Sequence, residues 1–143
     1  MARSKFRAGD RDRAKARFRQ LPRSVKRATG VALDSAAQEL AEAIRRRVPE
    51  DEGDLRDSVR WARGKGAERR NGRKVAPAGG DEDITVRVIE GNKKAFYAHM
   101  VEFGTKASPA QPHFYPTWRS LKKRLVGRVK RAQAKALREA AGE

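Results

Sequence analysis

An α+β domain is the fold class this sequence predicts: a long N-terminal helix, a small antiparallel sheet carrying a long hairpin loop, and a basic C-terminal helix. Three observations predict it. Leu33, Ala37, Leu40, Ile44 and Val48 recur at helical spacing, and so do Leu121, Leu125, Val129, Ala132 and Ala136. Between them, Ile84, Val86 and Val88 alternate with Thr85, Arg87 and Ile89, the period of a strand. Helix, strands, helix in that order implies helices packed on an antiparallel sheet.

The elements follow in turn. Residues 1–20 scatter Phe6 and Phe18 among arginines without a sustained period, so a basic, flexible N-terminal arm is expected, with a nascent helix from Asp10. A single domain then runs over 21–143. Its first helix is expected from Pro22 to Val48, since proline is tolerated in a first turn and Pro49 stops the far end. In VPEDEGDLRDSVRW, Gly53 suits a turn, Asp54 is expected to cap a short helical turn, and a strand begins near Val59 and Trp61. The following GKGAERRNGRKVAPAGGDED, with five glycines, reads as a long hairpin loop, mobile over 64–80. Gly91-Asn92 should turn the strand at 84–89 into a paired strand over Ala95 to Phe103. The last helix carries a thin apolar stripe and a heavily basic back.

The stretch FYAHMVEFGTKASPAQPHFYPTW (96–118) fits none of these periods. It holds both tyrosines, both histidines, three of the five phenylalanines and three of the six prolines, a density that neither a helix nor a strand requires. It is either a folded corner of the core or a surface shaped to meet something.

Composition narrows the chemistry. One domain suits 143 residues, and a chain of that size buries roughly 70% of its unfolded surface. There is no cysteine, so disulfides, thiolate catalysis and cysteine metal sites are excluded. No apolar run reaches the ~18 residues of a membrane span, and the basic start has no hydrophobic region behind it to make a secretory signal. Assembly in the cytoplasm is therefore expected. His99 and His113 lack ligand-spaced partners and read as surface or interface residues. Ser108 and Ser120 sit in no nucleophile elbow, the acids at 81–83 suit a solvated turn better than a paired-carboxylate site, and GKGAERRNGRK lacks the context of a phosphate loop. No enzyme, cofactor or metal is expected.

The net charge of +17 is concentrated at the ends: residues 1–30 hold 11 Lys/Arg against 2 acids, residues 119–143 hold 9 against 2, and the middle is nearly neutral. Basic ends on a neutral body favour polyanions or acidic protein surfaces. Contacts with DNA backbone or an acidic partner are expected from Arg11, Arg13, Lys15, Arg17 and Arg19 in the arm, Arg69 and Arg70 in the loop, and Lys122, Lys123 and Arg124 in the last helix. No helix-turn-helix, RNP motif, zinc finger or GXXG loop accompanies them, so sequence reading is not expected.

Three segments resemble a known family. VPEDEGDLRDSV (48–59), YAHMVEFGT (97–105) and PHFYPTW (112–118) are similar, in this order, to segments of the tail-completion (minor tail component) family of long-tailed bacteriophages, prophages and gene transfer particles. The similarity spans roughly residues 25–137, with Tyr115 and Thr117 departing from the family's usual Leu and Ala. It implies a virion protein at the head–tail junction or tail top, acting as a ring of identical subunits, six by the symmetry of such tails. Its partners would be itself, neighbouring neck and tail proteins and packaged double-stranded DNA, with no membrane. The candidate interface comprises Tyr97, Glu102, Phe103, Gly104, Thr105, Pro112, Phe114, Tyr115, Pro116 and Trp118. Aromatic residues anchor buried interfaces, Gly104 permits a turn, and the prolines fix an extended path that cannot become an aggregating edge. Glu102 would pair with an arginine. The alternative is a nonspecific binder of double-stranded nucleic acid; a virion nuclease is a weaker rival.

Overall fold

The structure is a computed structural model. It describes residues 13, 16, 17, 19–50, 53–64 and 84–142 and, for backbone pairing only, 69–70 and 73–74. Helix α1 spans Arg23–Arg45 and starts behind Pro22, whose extended backbone (ψ 147°) cannot continue a helix. Its alanine-rich stripe, Ala36, Ala37, Leu40, Ala41 and Ile44, is buried, and small side chains let a neighbouring element approach closely. Two bonded turns carry the chain past Val48 to Pro49.

Helix α2 (Asp54–Asp57) is a single turn. Gly53 precedes it in a left-handed conformation (φ 82°) and no side chain caps it, so Asp54 is its first helical residue and not the cap expected. Strand β1 (Arg60–Arg63) pairs antiparallel with β4 (Val86–Ile89) in the register Arg60–Ile89 to Arg63–Val86. The long connection between them contains a second small pair, β2 (Arg69–Arg70) with β3 (Arg73–Lys74). A long hairpin was therefore legible, while most of its expected mobile stretch at 64–80 lies outside the described residues. The flexible-arm and nascent-helix expectations for 1–20 fall mainly outside them too.

The expected second strand over Ala95 to Phe103 is instead a turn followed by helix α3 (Ala98–Phe103). The period explains why. Ala95, Ala98 and Glu102 are buried, while Phe96, Met100 and Phe103 are exposed. Spacings of three and four are helical. β4 finds its partner in β1, leaving this segment free to coil.

Helix α4 (Phe114–Ala140) packs along α1, with Leu125 and Ala136 buried between them. The core joins Leu40, Ile44, Val48, Leu55, Val59, Ala95, Ala98 and Leu125, with Trp61, Val88, Trp118 and Val129 partly buried on it. Polar ties hold β1 to α1. Arg45 donates to the Val59 carbonyl at 2.6 Å, Trp61 Nε1 donates to Gln38, and Arg63 forms a two-pronged pair with Asp34. Among the described residues no helix is long and apolar enough to cross a membrane.

Candidate interaction site

The candidate site is the strip from α3 into α4, and it has a buried polar half and an exposed aromatic half. Gly104 makes the turn out of α3. Its backbone (φ 75°, ψ 173°) lies in a region open essentially to glycine, and a Cβ there would stand 2.7 Å from the Ala110 nitrogen. The proline-broken stretch is not simply extended. Thr105 and Ser108 close a turn through their backbones, the Thr105 hydroxyl accepts from the Ala107 and Ser108 N–H groups, and Gln111 N–H returns to the Val101 carbonyl at 2.7 Å.

This return delivers the first turn of α4 onto Glu102. Its carboxylate accepts the backbone N–H groups of His113 (2.7 Å), Phe114 (3.0 Å) and Tyr115 (3.0 Å). A helix begins with N–H groups that have no helical partner. Here Glu102 takes three of them, and the next residue, Pro116, has none to offer. A negative charge there also complements the helix dipole. Glu102 is 5% exposed, so the expected pairing with an arginine gives way to a helix cap formed from eleven residues upstream.

His113 completes the buried half. It is 3% exposed, contrary to the surface role expected of it. Nδ1 donates to the Gln111 carbonyl at 3.0 Å and Nε2 faces the Glu90 carboxylate at 2.5 Å. The Gln111 carbonyl accepts, and a Glu90 carboxylate would accept too, an arrangement that favours the imidazolium form of the ring. Burial alone would lower its pKa, but the Glu90 and Gln111 bonds and the two nearby carboxylates carry it above the ordinary 6.5. Burial would likewise raise the Glu102 carboxyl, yet three backbone donors and the His113 charge hold it below the ordinary 4.5. The Thr117 hydroxyl, donating to the His113 carbonyl, and Arg47, donating to Thr117, link the cluster to the end of α1.

The exposed half is aromatic. Phe96 in the turn before α3, and Met100 and Phe103 on it, lie 53%, 40% and 67% exposed, and the Phe103 ring meets Tyr115 at 5.8 Å between centroids. Tyr115 also rims an open apolar groove of about 450 Å³ between α1, β4 and α4, lined by Leu33, Leu40, Val88, Trp118 and Val129 among others. Of the predicted interface residues, Phe103, Thr105, Pro112 and Tyr115 are exposed, and Tyr97, Gly104, Phe114, Pro116 and Trp118 are half-buried. Trp118 packs on the subunit's own core. Sequence reading missed Phe96 and Met100, whose spacing to Phe103 was the available signal, and it missed Glu90, for which there was none.

The basic residues divide as well. Arg13, Arg17, Arg19, Lys122 and Lys123 are exposed; Lys122 lies over the Trp118 ring, and Arg124 is paired with Glu39. Arg11, Lys15 and the side chains of Arg69 and Arg70 lie outside the described residues. No cluster that could hold a metal ion occurs among the described residues.

A family model described as "Bacteriophage HK97-gp10, putative tail-component" matches residues 12–104, more than half of the chain. The chain belongs to this family. The HK97-gp10-like match takes in α1, the hairpin and α3 as far as Gly104, and stops short of the proline-broken segment and α4. No curated protein and no solved structure matches the chain. Membership in the HK97-gp10-like family supports a structural role in a phage tail, a place in the virion, other virion proteins as partners, and a function other than catalysis.

Proposed function

We propose that the protein sits at the head–tail junction or tail top as a ring of identical subunits, six by the symmetry of such tails, completing the tail and joining it to the head. One observation carries this reading beyond family membership. Phe96, Met100, Phe103 and Tyr115 form an apolar face on a chain that is otherwise densely charged, and contiguous exposed apolar surface marks an interaction site. A ring closes by head-to-tail contacts, in which one patch meets a different patch on the next copy. The aromatic face, continued through Tyr115 into the α1–β4–α4 groove, is one such patch. A ring there surrounds the path of packaged double-stranded DNA, with which the basic chain ends make contact. Neighbouring neck and tail proteins meet its remaining faces.

The test is assembly. Phe103→Ala with Tyr115→Ala should lower ring formation, read by light scattering, and lower the yield of complete particles in the electron microscope. The folded state should persist, because neither side chain belongs to the core cluster or packs against it. Unchanged yields with both substitutions would count against this surface.

A further inference from the structure

From Gly104 to Arg138 the sequence contains ten lysines and arginines and no aspartate or glutamate. Nine of the ten lie on α4. With 3.6 residues per turn, eight of these nine fall on an arc of about 180° around the helix, opposite the stripe of Trp118, Leu121, Leu125, Val129 and Ala136. The structure shows which are already used. Glu39 of α1 pairs with Arg124 and Arg128, and Lys135 leans toward Glu139 at 3.9 Å. Arg119, Lys123, Lys130, Arg131 and Arg138 are exposed and have no acidic partner among the described residues.

We infer that the solvent face of α4 is a docking surface for the phosphate backbone of duplex nucleic acid. The five cations span roughly 28 Å of helix at 1.5 Å per residue, nearly one turn of duplex. An α-helix fits the major groove, about 12 Å wide, and the five exposed cations, spread over about 120° of the helix, meet phosphates along it. An acidic protein would need carboxylates repeated along that whole length, whereas a duplex offers one phosphate charge per about 1.7 Å of its axis. A lipid surface would need the apolar stripe, and that stripe is occupied, with Leu125 and Ala136 buried in the subunit. The one side-chain amide on α4, Gln133, lies off the cationic arc, so no amide is placed there to read adenine, and the cations serve as phosphate contacts. This assignment is independent of ring formation, and it moves the nucleic-acid contact from Lys122 and Arg124 to their neighbours.

Binding of the full-length protein to a 30-base-pair duplex across a sodium chloride series tests it. Five phosphate contacts from α4 contribute about −4.5 to the slope of log affinity against log salt, a loss of roughly 500-fold between 50 and 200 mM. Lys123→Glu, Lys130→Glu and Arg131→Glu together should flatten the slope by about 3, while Arg13→Glu, Arg17→Glu and Arg19→Glu should change it less. Polyglutamate and anionic vesicles are the competing probes and should bind more weakly than the duplex. Acetylation footprinting of the unmodified protein gives a readout that needs no variant: duplex should protect Lys123 and Lys130 and leave Lys93 and Lys94 reactive. An unchanged slope in the α4 variant, equal binding to polyglutamate, or unprotected Lys123 and Lys130 would overturn the inference. Light scattering on the same samples reports ring formation separately, so loss of either result leaves the other legible.

Discussion

At the scale of single residues, the buried pairing of His113 with Glu90 and Glu102 has a pH signature. His113 has a raised pKa in the folded state, so its contribution is complete below about 6.5 and is lost as pH rises through the higher folded value. Glu102 has a lowered one, so its contribution is present above about 4.5 and is lost as pH falls through the lower folded value. The cluster therefore stabilises most between these limits. Facing it are Glu90 from the end of β4, Glu102 from α3 and, through Thr117, Arg47 from the turn after α1. Urea midpoints of the native protein should fall as pH goes from 6 to 8, and His113→Gln should remove that fall. A His113→Gln profile parallel to the native one would refute the imidazolium assignment. Gly104→Ala is a second residue-scale case. The strained backbone and the 2.7 Å approach to Ala110 should together cost about 1–3 kcal/mol, measurable as a lower midpoint at constant slope.

At the scale of elements, the contact of α1 with α4 is the main joint. Ile44 is fully buried in the core beneath it, and Ile44→Ala should destabilise by about 2–5 kcal/mol through lost burial and the cavity left behind. Calorimetry should show one lowered transition; an unchanged one would mean that the stripe is not the core. Both long helices were legible because their stripes repeat through many turns. The α3 segment was not. It is one and a half turns long, β-branched and aromatic residues sit in it, and Gly91-Asn92 before it is a hairpin signal. What decided against a strand was the availability of β1, thirty residues earlier, as the partner of β4, and no local pattern reports which of two segments wins a strand's edge. The same limit hid the helix cap. Sequence rules look for an N-cap beside the helix, whereas Glu102 reaches α4 only because Gly104 and the Thr105–Ser108 turn fold the chain back.

For the whole molecule, apolar and charged surfaces divide the labour. The segment from Gly104 to His113 joins the aromatic face of α3 to the cationic face of α4, so a single strip sets how the two are placed. Deleting residues 1–20 should leave the thermal transition in place, since the described core begins with α1; a lost transition would make that segment part of the fold. The α+β class, the long helices, the hairpin and the charged ends were determined by the sequence alone, because each is written in residue type or short-range period. Tertiary structure alone decided that His113 is buried beside Glu90 and Glu102, that Glu102 caps a distant helix, and which aromatics are left outside. Those outcomes depend on where chain segments far apart in sequence come to rest, and burial and charge pairing are properties of that meeting.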